Sequence, residues 1–392
     1  MKISKKSLFA LYIVIGICLF IVSVYLYKHS VTYSPYSNEV GTSEYYPVYP
    51  WMNYTEKEFV EEDYPVKWDD ALNIASNFLL ENYGIDLDQW CLVRKILGKL
   101  DMSQWSRYRV NFIGRFGEYH ICLGYTPEDE CRITVYIDPL YGRITSFSIS
   151  VLINKTHAYL RGYPLKYNSS LSRNFTLKEL YELVNSTLHK LGYSVRDNMS
   201  IRIVRVGSYV IKDGRPYGRT LYKYPGNTNV SVITAYAILW IKYQILVYGY
   251  PIHLGDLGRL VSYGSIWYSI PYNMVVRATI PYITFHLHDT GMFIEPPKDM
   301  LGYDEALAIV RDYFRDRFGD IAEIDVKKKL FGWTFRYNEA FEMYEPIPRL
   351  AWVFSGDVIV IEDGGYVGYS FGLSIDALER VVFNVKTTRT TP

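Results

Sequence analysis

WDDALNIASNFLLENYG at residues 68–84 and YDEALAIVRDYFRDRFG at residues 303–319 align without a gap, and the pairing of a helix with the strands after it decides the fold. Asp69 and Asp70 in the first stretch, like Asp304 and Glu305 in the second, stand in a first helical turn, where negative charge opposes the positive end of the helix dipole. Ala71, Ala75, Phe78 and Leu79 recur at the three-and-four spacing of one buried face, as do Ala306, Val310, Tyr313 and Phe314. Gly84 and Gly319 fall where a left-handed cap would end each helix. Two such matched helices predict an internal repeat. A looser helix lies between them: Thr176 and Glu179 form a capping box, Leu177, Leu180, Val184, Leu188 and Leu191 make the apolar stripe, and Gly192 closes it. An ordinary amphipathic helix outside any repeat would read the same way.

Strand-like runs come after the first helix: RYRVNFIG, GEYHICLGY, RITVYIDP and GRITSFSISV, with alternating polarity and turn residues between them. RLAWVFSG, DVIVIEDGG and YVGYSFGLSI come after the last. The turn IDPLYGRI in the first series pairs with IEDGGYV in the last. The expected fold class is therefore α+β, with repeated units of one helix packed on an antiparallel β-sheet, preceded by one N-terminal transmembrane helix. The expected organisation is a cytoplasmic stub and anchor at 1–28, a Tyr/Ser/Pro-rich stalk at 29–66, a first unit at 67–152, a middle helix-plus-sheet unit at 153–298 and a second full unit at 299–392.

The anchor rests on LFALYIVIGICLFIVSVYLY at residues 8–27, an uncharged run of the length that crosses a bilayer as a helix. Lys2, Lys5 and Lys6 precede it and favour a cytoplasmic N-terminus with the bulk of the chain outside. The run is longer than the apolar core of a cleaved signal peptide. VITAYAILWIKYQILVY at residues 232–248 is a second apolar segment, but the central Lys242, Gln244 and its β-branched residues suit a strand better than a span.

With 42 basic and 41 acidic residues, the chain lacks the basic excess of a nucleic-acid binder. Its 49% hydrophobic content supplies real cores, and 39 tyrosines suit sheets whose rings pack while their hydroxyls stay bonded. Candidate N-glycosylation sites outside the cell are Asn53, Asn154, Asn168, Asn174, Asn185, Asn198 and Asn229. Cys122 and Cys131 flank a hairpin tip and form a candidate disulfide; two buried thiols are the other reading.

The acidic pair with Ala-Leu at Asp69–Leu72, together with VYIDPLYGRI, resembles the PepSY family, and so do Asp304 to Leu307 with PRLAWVFSGDVIVIEDGGYV. WIKYQILVYGYPIHLGDLGRLVSYG in the middle is similar to membrane-anchored regulators of the YycH and YycI type. PepSY-like modules occur in protease propeptides and extracytoplasmic regulators, where they bind or restrain a partner and perform no reaction. The resemblance thus implies a membrane-anchored, non-catalytic regulatory protein with an exported or membrane protein as partner, and no cofactor. The family's motif residues are fold-forming, so no binding residue carries over.

Two constellations point to chemistry instead. GYSFG at residues 368–372 satisfies G-x-S-x-G, with Ser370 as nucleophile and Asp376 as a candidate acid, but no histidine lies beyond Ser370. TFHLHD puts His286 and His288 two apart on an expected strand, hence on one side, with Asp289 after them; such a pair can begin a metal site, but His253 and the scattered carboxylates show no matching spacing, and half-exposed strand histidines are the other reading. A hydrolase built on either, or a structural component of the cell envelope, are the alternative functions.

Overall fold

The computed structural model describes residues 61–99, 117–124, 126, 131–150, 173–212, 215–223, 238–254, 260–338, 343–345, 347–362 and 364–390. The order along the chain is α1 (Trp68–Tyr83), β1 (Cys91–Lys99), β2 (Gly117–Gly124), β3 (Ile133–Ile137), β4 (Ile144–Ile149), α2 (Leu177–Lys190), β5 (Met199–Lys212), β6 (Arg215–Lys223), β7 (Ile238–Val247), β8 (His253–Leu254), β9 (Leu260–Val261), β10 (Gly264–Ser269) and β11 (Met274–Thr279). Then come α3 (Tyr282–Asp289), α4 (Tyr303–Phe318), β12 (Ile321–Thr334), β13 (Tyr337–Asn338), β14 (Met343–Tyr344), β15 (Arg349–Glu362), β16 (Gly365–Asp376) and β17 (Val382–Arg389).

Three times a helix precedes a four-strand antiparallel meander: β1-β2-β3-β4 after α1, β5-β7-β10-β11 after α2, and β12-β15-β16-β17 after α4. The helices start alike. Asp70, Glu179 and Glu305 each stand three residues after the cap and accept from the backbone N–H of Lys67, Thr176 and Gly302, at 3.1, 2.7 and 3.0 Å. Each then buries one residue per turn: Ala71, Ala75 and Leu79; Leu180, Val184 and Leu188; Ala306, Val310 and Phe314.

The outer two units agree in finer detail. The Val66 N–H donates to the Pro139 carbonyl at 3.1 Å, and the Leu301 N–H to the Ala377 carbonyl at 3.0 Å. The Val66 carbonyl accepts from the Tyr119 hydroxyl at 2.7 Å; the Leu301 carbonyl accepts from the Trp352 indole at 2.8 Å. Lys95 lies over the Trp68 ring at 4.4 Å and Lys329 over the Tyr303 ring at 3.9 Å.

Their last hairpins turn identically. Asp138 N–H donates to Arg143 O, and Asp376 N–H to Val381 O; Gly142 N–H and Arg380 N–H return to the carbonyls of Asp138 and Asp376. The counterpart of IDPLYGRI is thus IDALERVV at residues 375–382, and the expected pairing with IEDGGYV is corrected. Glu362 and Gly365 flank the β15–β16 hairpin turn instead. The mismatch arises because β15 and β16, at 14 and 12 residues, are far longer than β2 and β3, so a Gly-rich turn falls earlier in the series.

The expected separate sheet for each unit is also corrected. β4 pairs with β11, fusing the first two meanders into one nine-stranded sheet of order β1-β2-β3-β4-β11-β10-β7-β5-β6, while the third meander stands as a four-stranded sheet. Two short ribbons, β8-β9 and β13-β14, complete this α+β fold of two main antiparallel sheets and four helices among the described residues. The first two units clasp each other. The Tyr83 hydroxyl at the end of α1 donates to Val275 O in β11 at 2.8 Å, and Ile144 N–H in β4 donates to Leu191 O after α2 at 3.1 Å. The third sheet is tied to the middle unit through β12: Trp333 N–H and Nε1 donate to Pro251 O and Val247 O at 2.9 and 3.0 Å. Gly332 permits this approach, since a Cβ there would lie 2.5 Å from the Pro251 oxygen.

Among the described residues no helix is long and apolar enough to cross a membrane. The expected span at 8–27, residues 29–60 of the expected stalk and the run RYRVNFIG lie outside the described residues, whereas residues 61–66 of that stalk are packed on the first unit, with Tyr64 buried and Val66 N–H bonded to Pro139 O. The single-pass topology, the extracytoplasmic location and the membrane or exported partner that depended on that span find no support in this fold, and the partner-restraining regulatory reading falls with them. In the other apolar segment, Ile238–Val247 is a strand paired on both sides, by β5 and β10.

Gly142 sits at φ +66, with the position of an added Cβ 3.1 Å from Ile74 Cδ1; its counterpart Arg380 holds φ +59. Gly142→Ala is therefore expected to destabilise by about 1–2 kcal/mol, and Arg380→Gly to stabilise by about 0.5 kcal/mol, in urea titrations of the whole chain.

Candidate functional site

Among the described residues, a group of ionisable side chains gathers where the β3–β4 turn, the loop after α2 and helix α3 converge. The turn supplies Asp138 and Arg143. Asp138 Oδ1 accepts from Leu140 N–H at 2.9 Å, which fixes the carboxylate over the turn, and Asp138 is 1% exposed. Arg143 extends the other way, over the rings of Tyr141 and Tyr193 at 4.8 and 5.4 Å, to a charge-paired hydrogen bond with Asp289 at the end of α3. Arg196, from the loop after α2, meets the second Asp289 oxygen at 2.8 Å. One carboxylate thus joins a guanidinium of the first unit to a guanidinium of the middle unit.

α3 starts after Pro281 and lays its apolar side down first: Tyr282, Ile283, Phe285 and Leu287 are buried, with Phe285 against Tyr193 at 4.7 Å. His286 and His288 lie on this helix, not on a strand, so the expectation that they share one side is corrected. Two residues along a helix turn a side chain through about 200°. His286 is buried near Tyr141 and Tyr282, each with ring centres 5.8 Å away. His288 Nε2 instead meets Asn198 Oδ1 at 2.7 Å. His253 is distant in the fold, on β8 beside Gly332. Among the described residues no three His, Cys, Asp or Glu side chains gather as metal ligands would.

Burial governs the protonation of this cluster. It pushes the Asp138 carboxyl up to about 6, against the opposing hydrogen bonds from Leu140 N–H and Tyr282 and the charge of Arg143. It pushes His286 down to about 4, against the attraction of Asp289, and lowers His288 as well, with Arg196 adding to the effect. The Tyr193 and Tyr282 hydroxyls are held well above the usual phenol range by burial, reinforced by Asp138. At neutral pH the pocket therefore holds an ionised Asp138 against its burial and neutral imidazoles, with Asp289 neutralised by two arginines.

The other sequence candidates separate. Ser370 lies within β16, with strand on both sides of it, and donates to Asp357 Oδ1 across the β15–β16 pair at 2.7 Å; Lys327 pairs with the same carboxylate. No strand-to-helix elbow forms there. Asp376, at the far end of β16, accepts from Leu378 N–H and Glu379 N–H and pairs with Arg349 at 3.0 Å. Cys122 and Cys131 are joined by a disulfide, with Cα atoms 5.3 Å apart. Among the sequons, Asn174 and Asn185 are exposed, Asn198 holds His288, and Asn53, Asn154, Asn168 and Asn229 lie outside the described residues.

Asp138, Arg143, Tyr193, Arg196 and Tyr282 were not singled out by sequence reasoning. The available signal was Asp138 itself, repeated as Asp376 once IDPLYGRI is set against IDALERVV. No protein-family model, no curated protein and no solved structure matches this chain.

Asp138 and His286 act on stability in opposite senses over one pH range. The raised Asp138 favours the folded state below about pH 4 and loses that contribution as pH rises through 6; the lowered His286 favours it above 6.5 and loses that contribution as pH falls toward 4. Burial pushes His253 down to about 4 as well, and His288 is lowered too, so urea titrations between those limits should show a wild type that gains stability as pH rises. Asp138→Asn should steepen that gain and His286→Phe should flatten it, each by roughly 2 kcal/mol across the range.

Proposed function

We propose that this chain is a non-catalytic structural array of three PepSY-like units, in which the buried polar residues act as fasteners and not as reagents. The observation that carries the reading is the equivalence of Asp138 and Asp376. Each heads the last turn of its unit, and each turns an oxygen onto the N–H two residues ahead, at 2.9 and 2.8 Å. A general acid or base at one of these positions has no reason to reappear as a turn-former at the other. The rest of the cluster supports the same role. Asp289 draws Arg143 and Arg196 together across the seam between two units, where a chemical centre would leave a reacting group room for substrate. The Cys122–Cys131 bridge closes a short loop at the β2–β3 hairpin and adds about 2–3 kcal/mol wherever thiols are not kept reduced.

Hydrogen exchange on the full chain with Asp289→Ala tests the fastening role. Faster exchange is expected in the β3–β4 turn, the loop after α2 and α3, with the four-stranded sheet unchanged, and a stability loss of about 2 kcal/mol. Ser370→Ala should cost no more than about 1 kcal/mol, and a fluorophosphonate should leave Ser370 unlabelled. Stoichiometric labelling of Ser370 in the folded chain would replace this reading with a hydrolase.

A further inference from the structure

The seam between the first two meanders has a pseudo-twofold arrangement. Gly142, Asn273 and Arg380 are the positive-φ residues of the three last turns, at φ +66, +55 and +59. Counting from them, Phe147 in β4, Ala278 in β11 and Val385 in β17 occupy the same place. β4 and β11 are the last strands of their units, they run antiparallel, and Phe147 stands directly opposite Ala278. The local dyad therefore passes through this one pair, and each unit presents its last strand to the other in the same register.

β17 is the last strand of the third unit, and among the described residues no strand pairs with its outer edge. The apolar positions that the seam covers in the first unit are only partly covered here. Phe78, Tyr83 and Phe147 are 6, 5 and 1% exposed, and Ala278 is fully buried. Their counterparts Tyr313, Phe318 and Val385 are half-buried. Tyr83 reaches across to β11, whereas Phe318 stacks only within its own unit, on Phe314 and Tyr369.

We infer that β17 is a dimerisation edge: two copies of this chain pair β17 with β17, antiparallel, in the register already used between β4 and β11. The twofold axis then passes through Val385, which faces Val385 of the second copy, and Phe318 of each copy covers the start of the other's β17. An eight-stranded sheet results, and the symmetric contact closes on itself without leaving a further free edge of this kind. This register keeps the lysines off the twofold axis. Lys386 faces Asn384 and Arg389 faces Val381, whereas moving the axis one residue onward would set Lys386 against Lys386. A slip of one residue in pairing would set the helix-covered face of one copy beside the bare face of the other. This assignment does not depend on the PepSY-like reading or on the absence of catalysis.

The test uses the full chain with Cys18 and Cys91 replaced by serine and the Cys122–Cys131 bridge retained. Val385→Cys should form a chain-to-chain disulfide under mild oxidation and run at double mass on a non-reducing gel, while Thr388→Cys, which faces Val382, should remain largely single. Sedimentation of the unmodified chain should give a dimer at micromolar concentration, and Val385→Lys, which sets two like charges across the axis, should halve that mass. Circular dichroism of Val385→Lys checks that the loss is of association, not of fold. A monomeric wild type, or crosslinking no stronger at Val385→Cys than at Thr388→Cys, would overturn the proposal, including the case in which another segment of the same chain covers this edge.

Discussion

Each outer unit depends on a closure between residues distant in sequence: the approach to the helix is hydrogen-bonded to the turn before the last strand. Val66 N–H meets Pro139 O, and Leu301 N–H meets Ala377 O. An aromatic residue on the second strand, Tyr119 or Trp352, binds the carbonyl of the same approach residue from the other side. With both backbone groups of one residue engaged, the helix start is held at a fixed place against the meander. The buried alanines of α1 and of the start of α4 then let the helix lie close to the strands. The turn must keep a fixed geometry for this to work, which explains an aspartate at its head and a left-handed residue near its end in both units.

That closure also accounts for what the sequence made legible. The helix pair could be read because capping, charge and buried stripe all act within a few residues, and local rules are written locally. The α+β class came from helix and strand periods. The β4–β11 fusion did not, because nothing in the pattern of a strand tells whether its outer edge will meet a neighbour. Phe147 and Ala278 look like ordinary buried strand residues, and only their pairing reveals the seam. The middle helix resisted assignment for a related reason: its cap is Thr176 and its buried residues are larger, so it keeps the geometry of the repeat without its letters.

The polar cluster was hidden more deeply. Arg143, Arg196 and Asp289 come from three elements, and no spacing rule connects them. TFHLHD misled because its alternating polarity over a few residues fits a strand as well as a short helix, and Pro281 with an apolar run after it settles it as a helix only in the packed fold. Ser370 could be discounted from the sequence, since no histidine follows it, and the fold adds that the motif acts only at a strand-to-helix turn whereas here the strand continues.

The two equivalent aspartates show how one scaffold element takes different surroundings. Around Asp376 the third unit supplies Arg349, which pairs with it directly and reaches Glu379 as well, so the buried carboxylate is neutralised within its own unit. Around Asp138 the guanidinium at hand, Arg143, is drawn away to Asp289, and the nearest groups are Tyr282 and the turn's own N–H. A buried carboxylate left with dipoles in place of a full counter-charge must hold its proton more tightly. The difference stems from the seam. Joining the first two units demands a charged link across them, and Arg143 is the turn residue long enough to make it. The first unit thus carries an imperfectly compensated acid, while the third keeps its ion pair and an edge strand that no described strand covers.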